Sequence, residues 1–216
     1  PYNPEHIIRR QEINTIGGYS LGINIGVPSY SIIFPMFRYL SFDRYYVYGA
    51  EIFERYYRSR WGKDMEIIPI GTFRADRETF NKRNLPRTND IAVYVGVFVF
   101  EPEMVRFIRE LAREFTDRKI LVQIKSIFSD PKISDLGHLG KEFFYRCSQG
   151  LDNVEYTELS VYEMFCKYTY AISDPSSIIV EAIQFGAISF SADVSAYQPS
   201  NVFRNYPEIN VTSAEA

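Results

Sequence analysis

The chain has 216 residues, 46% of them hydrophobic, with 24 basic and 27 acidic side chains and a net charge of −3. That length and apolar content support one large folded domain or two modest ones. The even mixture of charge offers no electrostatic footprint for nucleic acid and no polybasic membrane anchor.

Pro4 to Ile16 carries the spacing of a helix, which Gly17 and Gly18 break before SLGINIG, read as a short strand from Ser20 to Ile25. A loop rich in Pro, Ser and Tyr follows. DRYYVY, Asp43 to Tyr48, predicts a second strand, Ala50 to Arg60 a helix through Ile52, Phe53, Tyr56 and Tyr57, and Glu66 to Ile70 a third strand. Strand, helix, strand in that order favours a parallel sheet with crossover helices over a β-sandwich. Residues 71–89 lose apolar periodicity, gain basic side chains and contain Pro86, so they are expected to be a linker between a domain over 1–70 and another over 90–216.

After the linker the alternation restarts with strand Asp90 to Val95, helix Pro102 to Phe115 and strand Lys119 to Ile124. Ser126 to Leu151 is variable, with glycines, Asp-Pro and one short helix. Strand Val154 to Tyr156, helix Val161 to Tyr168, strand Tyr170 to Ile172, a helix after Ser177 and strand Ala187 to Ser191 complete the pattern. The expected fold is α/β, two Rossmann-like units with parallel sheets. Both ends read as cut: Pro1 stands first, and INVTSAEA stops where Thr212 or Ser213 would cap a new helix. No apolar run approaches the roughly 18 residues of a membrane span, and PYNPEHIIRR lacks a signal-peptide core, which points to a cytoplasmic body.

Ligands of open parallel sheets bind outside the carboxyl ends of the strands, so the loops there are the first candidates for a site. In TYAISDPSSIIVEAIQFG, Asp174 and Pro175 break an apolar strand, and Ser176 and Ser177 stand where a helix leaves its first N–H groups unpaired. Such an end binds phosphate, and Glu181, four residues on from Ser177, shares its helical face and suits ribose hydroxyls; a capped helix without ligand is the plainer reading. Gly96 would let a phosphate or sugar approach the backbone, and Lys125 closes KILVQIK with an ammonium suited to a diphosphate or to simple solvation. Thr157 and Glu158 follow the next strand within reach of a base or ribose. VGVFVFEPE lacks the spaced glycines of a dinucleotide fingerprint, so NAD is not expected.

For acid or base work the first unit offers His6, Glu12 and Asp43, with no spacing that demands partnership. The cysteines, Cys147 and Cys166, have no obvious histidine partner and no GxSxG elbow occurs, which disfavours a hydrolase. Nor do they and the histidines, His6 and His138, show paired metal-ligand spacing, so reduced thiols and no structural metal are expected.

With two βα units joined at IPIGTFRAD, and SDPSSIIVEAIQFGAISF in the second, the sequence resembles GT-B glycosyltransferases of bacterial surface-polysaccharide synthesis. It is most similar to the capsular and lipopolysaccharide types, and more distantly to CDP-glycerol glycerophosphotransferases with their SD-x-SS turn. The resemblance implies two domains facing across a cleft, with acceptor mainly on the first and nucleotide-activated donor mainly on the second, and neither metal nor cofactor. It implies that Ser176 and Ser177, with Gly96 and Lys125, hold donor phosphate and that Glu181 holds the ribose. SLGINIG resembles a strand that in relatives often ends in Gly-x-x-His-Gly, whose histidine can serve in catalysis. Here Asn24 and Ile25 precede Gly26, which leaves the base to His6, to Glu12 or to a preceding segment.

The partners implied are a nucleotide-sugar donor and a glycan or lipid-linked glycan acceptor, with no nucleic acid and no transmembrane segment. The resemblance allows peripheral association at the inner face of the cell membrane. Two alternatives stand beside transfer of a sugar or polyol phosphate: an epimerase-like GT-B enzyme acting on the free donor, and a non-catalytic Rossmann-like module of a polysaccharide-synthesis complex.

Overall fold

The computed structural model describes residues 5–24, 40–49, 64–195 and 201–214. The chain divides into two units, Pro1–Arg74 and Ala75–Ala216.

In the first unit, α1 (Glu5–Thr15) ends where Gly17 takes a φ of 74° and the Gly18 N–H returns to the Ile13 carbonyl at 2.8 Å. That left-handed glycine close is how a helix satisfies its last carbonyls. Three short parallel strands follow in the order β1 (Leu21–Ile23), β2 (Arg44–Val47) and β3 (Glu66–Pro69). Leu40, Tyr45, Val47 and Met65 form its small buried cluster. The helix expected over 50–60 and the end of SLGINIG beyond Asn24 lie outside the described residues.

The second unit opens with α2 (Arg77–Asn81), which begins at Asp76 because that carboxylate accepts the Thr79 N–H at 2.7 Å. Then come β4 (Thr88–Val95), a 3₁₀ turn at Val97–Phe100, α3 (Pro102–Glu114), β5 (Ile120–Ile124), α4 (Ser126–Ser129) and α5 (Leu139–Ser148). They lead to β6 (Val154–Tyr156), α6 (Val161–Lys167), β7 (Tyr168–Ser173), α7 (Ser177–Gln184), β8 (Ile188–Ala192) and β9 (Asn210–Val211). All six strands are parallel, in the spatial order β6-β5-β4-β7-β8-β9. Numbered within the unit this is 3-2-1-4-5-6, the doubly wound Rossmann order, which reverses direction between β4 and β7.

The strands alternate as period-2 geometry requires. Ile91, Val93 and Val95 of β4 pack with α3 and α5, whereas Ala92 and Tyr94 pack with α6 and α7 on the other face. Helix α3 buries Met104, Val105, Phe107, Ile108, Leu111 and Ala112, a stripe at helical spacing. Each of its large side chains contributes about 1.5–3 kcal/mol.

The segment 71–89 is more structured than a linker: α2, a 3₁₀ turn at Lys82–Asn84 and the start of β4 lie in it. Phe80 stands edge-on to Phe185, and Arg87 donates to the carbonyls of Phe165 and Phe185, which holds this stretch against the second unit. At the other end, Asn210 and Val211 form the sixth strand beside β8. No described helix is long and apolar enough to cross a membrane.

Candidate functional site

At the carboxyl edge of the six-stranded sheet, loops leave side by side, each pinned to its neighbour's last carbonyls. The Lys125 N–H donates to Val95 at 2.9 Å, Thr157 to Val122 at 3.1 Å and Asp174 to Tyr94 at 3.4 Å. The structure therefore brings together the loops that carry Gly96, Lys125, Thr157 and Glu158, and Ser176 and Ser177.

Between β4 and β7 the centre of this edge is held by Asp174. Its Oδ2 accepts the N–H groups of Gly96 at 3.1 Å and Phe98 at 3.3 Å, and Oδ1 accepts the Ser173 hydroxyl at 3.2 Å. The side chain belongs to a residue only 3% exposed. Burial pushes its carboxyl above the usual range, opposed by the N–H of Phe98, the hydroxyl of Ser173 and the N–H groups of Gly96 and Val97. Every one of these partners donates, which suits the acceptor-only carboxylate. Successive N–H groups of this kind make an anion nest, and this one is filled from within the chain.

Helix α7 starts three residues later. Ser176 is its N-cap, in extended conformation, with Oγ accepting the Ile178 N–H at 3.1 Å, while the Ile179 N–H reaches the Ser176 carbonyl at 3.3 Å. Capping thus consumes two of the helix's first amides. Half-buried Ser177 keeps its own N–H and hydroxyl without a partner among the described residues. Lys125 is exposed at the end of β5.

Glu181 sits one turn into α7 but faces inward, 2% exposed, and accepts the Tyr162 hydroxyl at 2.7 Å. Tyr162 is set by the capping box at the start of α6, in which Ser160 and Glu163 exchange bonds, and its ring leans on Phe165 and Phe185. Thr157 is buried and its hydroxyl accepts the Leu159 N–H at 3.2 Å, while Glu158 is exposed. Around the mouth, Val97, Phe100 and Ile127 present apolar surface, with Phe100 edge-on to Phe128.

The first unit carries its own candidates. Asp43 accepts the Ser20 N–H at 2.7 Å and hydroxyl at 2.8 Å and pairs with Arg10 at 3.1 Å, which ties α1 to the start of β2. His6 lies against Phe42, ring centroids 5.3 Å apart, with Nε2 buried and unpaired. Residues 41–43 lead into β2, so this end of α1 lies beside the amino-terminal edge of its sheet, opposite the edge where Rossmann-type ligands bind. Glu12 is exposed on the same helix. Among the described residues of the first unit, neither His6 nor Glu12 is brought to a strand's carboxyl end. Among the described residues no group of three His, Cys, Asp or Glu is placed to hold a metal.

Sequence reasoning missed Asp174 and Tyr162. Asp174 reads locally as a strand breaker before Pro175, and its amide partners lie over 70 residues away in the chain. Tyr162 reads as an ordinary apolar helix position. A second depression, lined in part by Glu103, Arg106, Glu110, Val194, Thr212 and Ser213, lies beside α3, and its two glutamates suit it poorly to phosphate.

No protein-family model and no curated protein matches the chain. Among solved structures it is similar to the trehalose-6-phosphate synthase OtsA, at 13% identity and a TM-score of 0.48 over 83% of this chain and 53% of that one. It is also similar to Thermosulfurimonas dismutans KpsC, a β-Kdo 2,7 transferase, at 13% identity and a TM-score of 0.28 over 69% of this chain and 64% of that one. The chain spans about half the length of the synthase.

Proposed function

We propose that the protein is a GT-B-type glycosyltransferase whose second unit binds a nucleotide-activated donor at the carboxyl edge between β4 and β7. The observation that carries this reading is the start of α7: Ser176 shapes the turn, Ser177 offers an N–H and a hydroxyl, and both lie at the point where the strand order reverses. Lys125, on the loop next to Gly96, adds a positive charge. Gly96 borders the site, its N–H engaged by Asp174. Glu181, buried against Tyr162 one helical turn further in, is taken up within the chain and is not assigned to the ribose.

In the proposed reaction the bond from the sugar carbon to the phosphate oxygen breaks and its electron pair stays on that oxygen. The acceptor hydroxyl oxygen forms the new bond to carbon and gives up its proton. The groups around Ser177 and Lys125 stabilise the charge that develops on the leaving phosphate, which is the part of the barrier that preorganised donors lower most. A surface glycan is the acceptor class that the sequence resemblance supplies, and the reading requires neither metal nor cofactor.

The test is acceptor dependence in the full-length protein. Nucleotide released only when a glycan acceptor is added supports transfer. Isomerisation of the donor sugar without acceptor supports the epimerase-like alternative, and the absence of any nucleotide binding leaves the non-catalytic module.

A further inference from the structure

The geometry points to Asp174 as a positioning residue: its carboxylate is a built-in anion that seats the turn from Gly96 to Phe100 and so sets one border of the proposed donor site. The nest is independent of any ligand, whereas its role as a border rests on the donor-site reading above. Two loops meet at this carboxylate. From the β7 side, the Asp174 N–H donates to the Tyr94 carbonyl at 3.4 Å, which sets the residue beside the end of β4. From the β4 side, the N–H groups of Gly96 and Phe98 converge on Oδ2 at 3.1 and 3.3 Å, while the Ser173 hydroxyl donates to Oδ1 at 3.2 Å. Bonds to an ionised acceptor are about twice as strong as neutral ones, and around a residue 3% exposed water competes little for them. Burying a carboxylate is costly, and an apolar side chain would fill the same space without that cost. What the anion adds is an acceptor for converging donors.

The turn held in this way is one that its own sequence does not orient. Residues 97–100 read Val-Phe-Val-Phe, and burial alone favours turning all four side chains inward. Instead Phe98 and Val99 are buried, at 1% and 7% exposure, while Val97 and Phe100 stand out at 45% and 57%. Within the turn, the Val99 N–H reaches the Gly96 carbonyl at 3.3 Å and the Glu101 N–H the Phe98 carbonyl at 3.0 Å. Those bonds fix its curvature but not its seat on the sheet. The bonds to Asp174 supply the seat, because they tie Gly96 and Phe98 to the loop that follows β7. Gly96 permits the approach, since a Cβ there would lie 2.9 Å from Oδ2.

The experiment replaces the anion from solution. Asp174→Ala removes the carboxylate, and amide hydrogen exchange at Gly96 and Phe98 is then followed in the whole chain at neutral pH. Exchange at both should accelerate by about a hundredfold and return to within about tenfold of wild type in formate. It should stay fast in formamide, which has the shape of formate without its charge, and in chloride at the same ionic strength. Where Asp174→Ala does not fold in plain buffer, recovery of folded protein on refolding in formate, compared with formamide, is read instead. Unchanged exchange in the variant, no rescue by formate, or equal rescue by formate and formamide overturns the inference, since the side chain would then only fill space. For the border, whichever of CMP, CDP, UMP and UDP binds wild type most tightly should lose about fivefold in affinity or more in Asp174→Ala and regain it in formate, both proteins being titrated in the same salt. Faster exchange with nucleotide affinity unchanged overturns the positioning role. Failure of all four nucleotides to bind wild type removes the donor-site reading and the border with it, while the exchange result still decides the nest.

Discussion

The carboxylate of Asp174 stands where any side chain on Gly96 would have to go: a Cβ there would lie 2.9 Å from Oδ2 and 3.3 Å from Oδ1. The glycine makes room for the close packing of another residue of the chain. Gly96→Ala should therefore destabilise the second unit by about 1–3 kcal/mol through crowding. Gly150, with a φ of +72° and nothing within 4 Å, isolates the backbone effect, and Gly150→Ala should cost about 1 kcal/mol. Denaturant midpoints for the two variants check this; a Gly96 variant as stable as wild type would contradict the close approach.

Two carboxylates should impose opposite pH slopes. Burial raises the Asp174 carboxyl above its ordinary 3.8, so the native state holds a proton at pH values where the unfolded chain has lost it. Its contribution to stability falls as pH rises from about that ordinary value through the raised native one, and is flat above. For Asp43, burial also raises the carboxyl but is outweighed by the Ser20 N–H and hydroxyl and by Arg10, so the net direction is down. Its stabilisation is present above 3.8 and is lost as pH falls through the lower native value. Asp43→Asn should thus be more harmful at neutral pH than in acid, and Asp174→Asn less so. Stability curves between pH 3 and 8 for both variants decide it, and slopes of the same sign would contradict the assignment.

Tyr162 and Glu181 form a buried pair whose energy should be visible without any ligand. Tyr162→Phe removes a donor from a carboxylate that is 2% exposed, at an expected cost of about 1–3 kcal/mol. With Glu181→Gln as the second arm, a double-mutant cycle should give a coupling of at least about 0.5 kcal/mol. Additive effects would mean that the hydroxyl and the carboxylate act separately.

Arg87 should act as a clamp. Its guanidinium donates to the Phe165 carbonyl at 2.9 Å and to that of Phe185, the ends of the two helices that cover one face of the sheet. Arg87→Ala should cost about 2 kcal/mol or more, and Arg87→Lys should recover less than half, because an ammonium cannot span both carbonyls as the planar fork does. Full rescue by lysine in urea unfolding would contradict the fork.

The second unit was legible where local pattern and final environment agree. The stripe in α3, the apolar run of β5 and the Ser176 cap each contain their own explanation, so periodicity and turn chemistry place them within a residue or two. The segment 71–89 was harder, since its order comes from Asp76, which reads as another polar loop residue until it caps α2, and from Arg87, whose partners lie 78 and 98 residues away. The strand at Asn210 was hidden for the same reason: two residues carry no period, and only pairing with β8 makes them a strand. In the site, the i,i+4 relation of Ser177 to Glu181 was readable from spacing, but not the direction that face takes. Tertiary packing turned Glu181 inward onto Tyr162 and gave the nest beside Gly96 to Asp174.

The central claim is that the start of α7 holds the phosphate of a nucleotide, and backbone amide NMR during a titration with CMP tests it most directly. The account predicts saturable shifts led by the Ser177 N–H, with changes at Lys125, while the N–H groups of Gly96 and Phe98 stay bound to Asp174 and move little. Saturable shifts confined to the depression around Arg106 and Thr212, or none at Ser177 at saturating nucleotide, would contradict it.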